Sequence, residues 1–446
     1  MAKLNYLLCA VMCCCVHLVE AQKSAPDWSK DATIYELNVR QFSPEGTFEA
    51  ILPHLDRIQK MGIEIIWLMP IHPIGVKERK GGLGSYYAVK DYKAVNPEFG
   101  DDDSFKKLID EVHKRDMKLI IDWVANHTSP DNVWVEAGNL DWYNLDSTGN
   151  VQPPPGTDWY DVSDLNYENQ DMRAAMIDAM EYWVRDFDID GYRCDVAGWV
   201  PTDFWDDARA ALDKIKPVFM LAEAEGAELH VNAFDMTYGW EFHHIMNEVA
   251  KGHQNADSIV SYFKREYEKY EESAYRMQFT SNHDENSWNG TVFERMGDGV
   301  LTFAVLAATV QGMPLVYNGQ EASLDKRLLF FEKDTIDWTS MDKESFYTTL
   351  LLLNKNNEAL WNGTHGSKPK FVATGNPDVL AYYRQNGKDI VWAILNLSEE
   401  VQKVDFELPL NLQGKTLSDA FTKQDVKFGN TLCVELKPWQ FHLNHK

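Results

Sequence analysis

The chain has 446 residues, 44% hydrophobic and 12% aromatic, enough apolar length for two or three folded domains and too much for a disordered chain. With 43 Lys+Arg against 69 Asp+Glu, its formal charge of −26 argues against nucleic acid as a partner. The acidity bears on solubility and says nothing about the fold.

Residues 1–21 read as an export signal. Lys3 supplies the positive end, residues 7–18 are mostly apolar, and Val19-Glu20-Ala21 offers small residues for cleavage. This predicts a periplasmic or secreted protein, and the apolar part is too short for stable membrane insertion. Cleavage would remove Cys9, Cys13, Cys14 and Cys15, leaving Cys194 and Cys433 as two buried free thiols in different domains.

From residue 33 strand and helix patterns alternate. Residues 33–42 read as a strand. Residues 47–61 read as an amphipathic helix with Phe48, Ile51, Leu52, Leu55 and Ile58 on one stripe. Residues 63–69 are wholly apolar, as in a strand buried on both faces of a parallel sheet. A helix over 104–116, capped by Ser104, precedes a strand over 118–124. The rhythm stops over 128–167, where Pro130, Pro153, Pro154 and Pro155 stand among scattered aromatics; so long an interruption marks a functional excursion or small subdomain.

It resumes with helix 171–187, strand 191–195, helix 201–215 and strand 218–223. Strand 231–238, helix 257–270, strand 276–281, helix 299–311, strand 313–317 and helix 343–353 complete eight units. The economical closure is a (β/α)8 barrel over 25–127 and 168–360, with an inserted domain at 128–167 after strand 3. Residues 363–446 are short alternating runs separated by turn residues, predicting a C-terminal β-sandwich.

Four segments carry the chemistry: Asp122-Trp-Val-Ala-Asn-His127, Gly191-Tyr-Arg-Cys-Asp195, Leu221-Ala-Glu223 and Ser281-Asn-His-Asp284. Each ends an apolar run in carboxylate, histidine or arginine. On neighbouring parallel strands, Asp195, Glu223 and Asp284 would meet at one mouth. Residues i and i+2 share a strand face, so Arg193 and Asp195 point inward together and Cys194 outward. Arg193 would hold Asp195 ionised, as a nucleophile requires, while Glu223 at the end of an apolar strand would keep a proton for a leaving group. Two carboxyls with divergent environments are what glycosidic cleavage uses. Glu225 shares a face with Glu223, and spacing alone does not choose between them.

These four motifs, in this order, make the chain similar to the α-amylase family of glycoside hydrolases over nearly its whole mature length. The resemblance implies a (β/α)8 barrel, a protruding domain after the third strand and a C-terminal sandwich, with retention of anomeric configuration. It implies Asp195 as nucleophile, Glu223 as general acid/base and Asp284 as transition-state stabiliser. His127 and His283 would bind hydroxyls of the same sugar, Arg193 would orient Asp195, and Tyr86 in Gly84-Ser-Tyr-Tyr87 would be the aromatic platform. Asn126, Asp164 and the carbonyl of Trp199 match a calcium site of many members. The implied substrate is an α-glucan or malto-oligosaccharide, cleaved endo at α-1,4 bonds. Val196 and Ser163-Asp-Leu-Asn166 instead resemble an exo-acting branch that favours α-1,6 links, so neopullulanase or α-glucosidase activity is the alternative. A non-catalytic glucan-binding barrel is the reading from another class. Of Trp134, Trp159, Trp199, Trp240 and Trp288, all in expected loops or strand ends, at least half are expected to be packing residues.

Overall fold

The computed structural model describes residues 25–446, so the expected signal at 1–21 lies outside the described residues. Eight parallel strands close into a barrel: β1 (Ile34–Leu37), β2 (Ile65–Leu68), β3 (Lys118–Trp123), β4 (Gly191–Cys194), β5 (Phe219–Ala222), β6 (Met236–Tyr238), β7 (Tyr275–Gln278) and β8 (Met313–Tyr317). Each pairs with its sequence neighbours, and β8 pairs with β1. Alternation along each strand divides the core. Ile34, Trp67, Ile120, Leu221 and Met277 pack inside the barrel, whereas Ile66, Ile121, Cys194 and Met220 join the cluster beneath the helices. Helix Asp102–His113 shows the matching face, burying Phe105, Leu108, Ile109 and Val112 at helical spacing.

Several elements differ from expectation for local reasons. The first strand stops at Leu37, because Asn38 caps a four-residue helix, Val39–Phe42, accepting from the Gln41 N–H at 3.3 Å. The expected helix over 47–61 is broken at Pro53 into Phe48–Ile51, a 3-10 turn and Leu55–Lys60. Asp101, not Ser104, caps the next helix: its carboxylate accepts from the Ser104 N–H at 2.9 Å, and Ser104 Oγ accepts from the Asp101 N–H at 2.8 Å. The strand expected over 231–238 shortens to Met236–Tyr238. Helix Trp240–Ala250, absent from the expected order, follows it.

Between β3 and helix Gln170–Tyr182 the chain makes a four-residue helix, Val133–Glu136, a 3-10 turn, Leu140–Trp142, and a two-residue ladder, His127–Thr128 against Ser163–Asp164. Beyond the barrel, six strands (β9 Lys370–Val372, β10 Val379–Asn386, β11 Asp389–Asn396, β13 Thr416–Asp419, β14 Asp425–Lys427, β16 Phe441–His445) form one sheet. The pair β12 (Gln402–Glu407) and β15 (Thr431–Leu436) forms another. They enclose Trp392, Val404, Leu417 and Leu436. This domain is tied to the barrel by fully buried Arg384, whose Nη1 donates to the Val310 carbonyl at 2.7 Å. Cys194 is buried as expected, but Cys433 is exposed on β15, so only one of the two free thiols is a core residue. Among the described residues no helix is long and apolar enough to cross a membrane.

Candidate active site

Strand register sets the site. Asp122 on β3 pairs with Arg193 on β4, and Arg193 with Leu221 on β5. One residue past each strand, the Asp195 N–H donates to the Trp123 carbonyl at 2.9 Å and the Glu223 N–H to the Cys194 carbonyl at 3.0 Å. Both acids therefore leave their strands at one height, at the C-terminal mouth where barrel active sites form.

Arg193 lies beneath them, fully buried. Its Nη1 donates to Asp122 Oδ1 at 2.8 Å and to Asp195 Oδ1 at 2.9 Å, and its Nε donates to the Tyr238 hydroxyl at 3.1 Å. Nη2 stands 2.9 Å from Glu223 Oε2, close enough to pair by charge but not aligned for a hydrogen bond. One guanidinium thus touches all three carboxylates. Arg193 is buried out of reach of a sugar and acts on one only through the carboxylates it holds, in keeping with the orienting role expected of it.

The Val196 N–H donates to the same Glu223 oxygen at 2.8 Å. Val196 holds φ +37°, a left-handed conformation that a β-branched residue adopts only at a cost. That strain aims an amide at Glu223.

Burial raises both acids. Asp195 is lifted to about 6, since desolvation outweighs Arg193; Glu223 is lifted to about 7, by desolvation first and by Asp195 and Asp284 besides. Arg193 lowers the Asp195 carboxyl but burial outweighs it, so Asp195 is ionised above about 6, and of the pair the proton resides preferentially on Glu223. Glu225 is separated from them, paired with Arg276 at 2.8 Å.

Asp284 stands more open, its Oδ2 at 3.4 Å from His283 Nε2. His283 is held by Glu36, Nδ1 to Oε1 at 2.5 Å, and by the Tyr87 hydroxyl at 2.7 Å from Nε2. Burial alone would lower this imidazole, but Asp284 and Glu36 override it and raise it to about 9, so it is cationic at neutral pH. His127 is the opposite case, lowered to about 3 by burial and therefore neutral. Glu285, beside Asp284, is buried against His243 at 3.0 Å and stabilises its loop without facing solvent.

A cavity of about 560 Å³ opens over these groups, lined by Asp195, Glu223, His283, Asp284, His127 and Tyr87 among others, a volume typical of small-molecule sites. Tyr86 is not on its wall. Its ring is 1% exposed and packed under the Arg40 guanidinium at 4.2 Å, and Asn38 Nδ2 donates to its hydroxyl at 3.2 Å. The adjacent Tyr87 presents its ring instead, and its hydroxyl donates to Asp122 Oδ2 at 3.0 Å. Of the five tryptophans, Trp159 and Trp288 line the cavity, and Trp199 stacks on Trp159 with centroids 5.4 Å apart. Trp134 and Trp240 pack against core clusters. Glu36 and Tyr238 escaped the sequence reading, although Glu36 is the lone acid within the apolar strand Ile34–Leu37.

Of the expected calcium ligands, Asn126 and Asp164 lie on adjacent backbone segments. The Leu165 N–H donates to the Asn126 carbonyl at 3.2 Å, and Asp164 lies opposite His127 in the short ladder. Burial raises the Asp164 carboxyl, opposed only by the Asn144 amide, which donates at 2.7 Å. Trp199 is 56% exposed, its ring engaged by Trp159. Among the described residues no three His, Cys, Asp or Glu side chains converge as a metal cluster. An ion beside Asp164 would rest on one carboxylate with amide and carbonyl oxygens, a donor set that suits a hard cation.

A closed barrel carrying a guanidinium-linked carboxylate pair over a sugar-sized cavity defines a glycoside hydrolase site. The family described as "Alpha amylase, catalytic domain" matches residues 23–357, and "Maltogenic Amylase, C-terminal domain" matches residues 370–443. The chain belongs to the α-amylase family. Similar solved structures include a noncanonic maltogenic α-amylase, AmyB, from Thermotoga neapolitana (29% identity, 94% of this chain and 99% of that one, TM-score 0.85). Another is an α-amylase from Lactobacillus plantarum (29% identity, the same coverage, TM-score 0.84). A cyclomaltodextrinase of Geobacillus thermopakistaniensis (strain MAS1) is 24% identical, covering 94% of this chain and 77% of its own.

Proposed function

We propose that the chain hydrolyses α-1,4-glucosidic bonds of soluble malto-oligosaccharides with retention of anomeric configuration. The observation that carries this reading is the placement of Asp195 and Glu223 on one buried guanidinium at the wall of the cavity. Asp195 Oδ attacks the anomeric carbon as Glu223 gives its proton to the departing glycosidic oxygen, forming a glycosyl ester and a shortened glucan. Glu223, now a carboxylate, takes a proton from water; that water's oxygen attacks the same carbon from the face the leaving group vacated, and Asp195 departs. Asp284 and neutral His127 hydrogen-bond hydroxyls of the reacting sugar, cationic His283 sets its charge beside Asp284 while held by Glu36 and Tyr87, and the Tyr87 ring supports the sugar's apolar face. The names of the relatives, maltogenic α-amylase and cyclomaltodextrinase, support a short soluble glucan as the substrate.

Incubation of the folded protein with maltoheptaose tests this reading. Shorter malto-oligosaccharides are the expected products, and an unchanged substrate would refute it. Calcium at Asn126 and Asp164 is proposed as a structural ion that takes no part in bond cleavage. A chelator is expected to lower Tm and added calcium to restore it, since an ion at 100 times its Kd stabilises by about 2.7 kcal/mol. A Tm indifferent to both removes the ion.

A further inference from the structure

We infer that the cleft is closed at its glycone end, so that glucan chains enter by their non-reducing terminus and lose short units from it. This rests on the hydrolase reading above. The direction of the bound chain follows from the barrel. Glu223 follows β5 and must protonate the leaving group, so the leaving part of the chain extends over the β5 side. In a ring of eight strands β5 lies opposite β1, with β2 and β8 flanking β1. The part of the glucan retained on Asp195 therefore points toward the wall formed by the β2 and β8 loops.

That wall is strapped shut. The segment 79–83, after β2, is bound on one side to the β8 loop: the Gly82 N–H donates to Glu332 Oε1 at 2.6 Å, and the Leu83 N–H to the Phe331 carbonyl at 2.9 Å. The fit is close, since a Cβ on Gly81 would lie 2.4 Å from the Phe331 Cβ. On the other side Lys80 reaches the excursion after β3, its Nζ at 3.1 Å from both Asp161 Oδ1 and the Asp158 carbonyl. Lys80, Asp158, Asp161 and Phe331 all line the cavity, so these ties form its wall. The rim is thus continuous over β3, β2, β1 and β8. On the β5 side, Glu225 turns away to Arg276.

The test compares maltoheptaose with maltoheptaose whose terminal non-reducing 4- and 6-hydroxyls are bridged by a benzylidene group. Free maltoheptaose is expected to release short products from the non-reducing end, with the blocked sugar cut at least about 10²-fold more slowly, the scale of a misplaced reacting centre. The double substitution Lys80→Ala with Glu332→Ala is expected to move the blocked-to-free ratio back toward one. Equal rates on the two sugars with the unaltered protein would overturn the closed end while leaving the hydrolase reading intact, whether or not the variant folds. A folded variant with an unchanged ratio would show that the strap is not the barrier. Failure to cut either sugar would take down both readings.

Discussion

Replacing Glu223 with Gln is expected to lower kcat/KM on maltoheptaose by at least about 10³-fold, and replacing Asp195 with Asn by more, because the first removes acid/base assistance and the second the nucleophile itself. Both substitutions keep shape, the first with the bond from the Val196 amide and the second with the bond from Arg193, so the loss reports chemistry. The pH profile separates the two roles. Asp195 must be ionised and its carboxyl is raised to about 6, so activity falls as pH drops through that value. Glu223 must be protonated and is raised to about 7, so activity also falls as pH rises beyond it. The two limbs belong to the coupled pair, giving a narrow bell between them. With Glu223→Gln the alkaline limb disappears, and azide, a nucleophile needing no general base, is expected to restore breakdown of the ester. A Glu223→Gln enzyme with wild-type turnover, or a Glu225→Gln enzyme that is dead, would contradict the assignment.

Arg193→Met is expected to be nearly as damaging to activity and far more so to stability. Arg193 is the buried cation against Asp122, Asp195 and Glu223, and removing one partner of a buried ion pair costs about 3–5 kcal/mol because the remaining charge is left without compensation. The carboxyls lower that cost by protonating. Arg193 lowers all three acids in the native protein, so without it Asp122 and Asp195 rise further. Raised native pKa values give a stability deficit that is present above them and shrinks as pH falls through them. Urea unfolding at pH 5 and pH 8 checks this sign, with the larger loss expected at pH 8. The positioning role has its own signature: the acid limb of whatever activity remains shifts to higher pH. An acid limb unmoved in a folded variant would reduce Arg193 to a packing residue.

The barrel was readable because its strands are buried on both faces. Short apolar runs such as Ile65–Leu68 end abruptly in polar groups, and the helices between them show a single apolar stripe. Asp195 and Glu223 were readable for the same reason, each lying one residue past a buried strand. What escaped depends on register or on distant partners. Tyr86 and Tyr87 are adjacent, and nothing local decides which ring turns to the cavity; Arg40 and Asn38, more than forty residues away, hold Tyr86 inside. Asp101, Asp102, Asp103 and Ser104 can all cap a helix, and only the backbone path selects Asp101. Helix Trp240–Ala250 buries Phe242, Ile245, Met246 and Val249 at helical spacing, but His243, His244 and Asn247 interrupt the pattern. The strap at 79–83 has no sequence signature, since its ties run to residues near 160 and 332.

Double displacement through Asp195 is read directly by the anomeric form of the newborn product. Proton NMR of maltoheptaose hydrolysis, followed in the first minutes before mutarotation, is predicted to show the α-anomer appearing first. Initial release of the β-anomer would mean that water attacks the sugar without a covalent intermediate, and would contradict the roles given to Asp195 and Glu223.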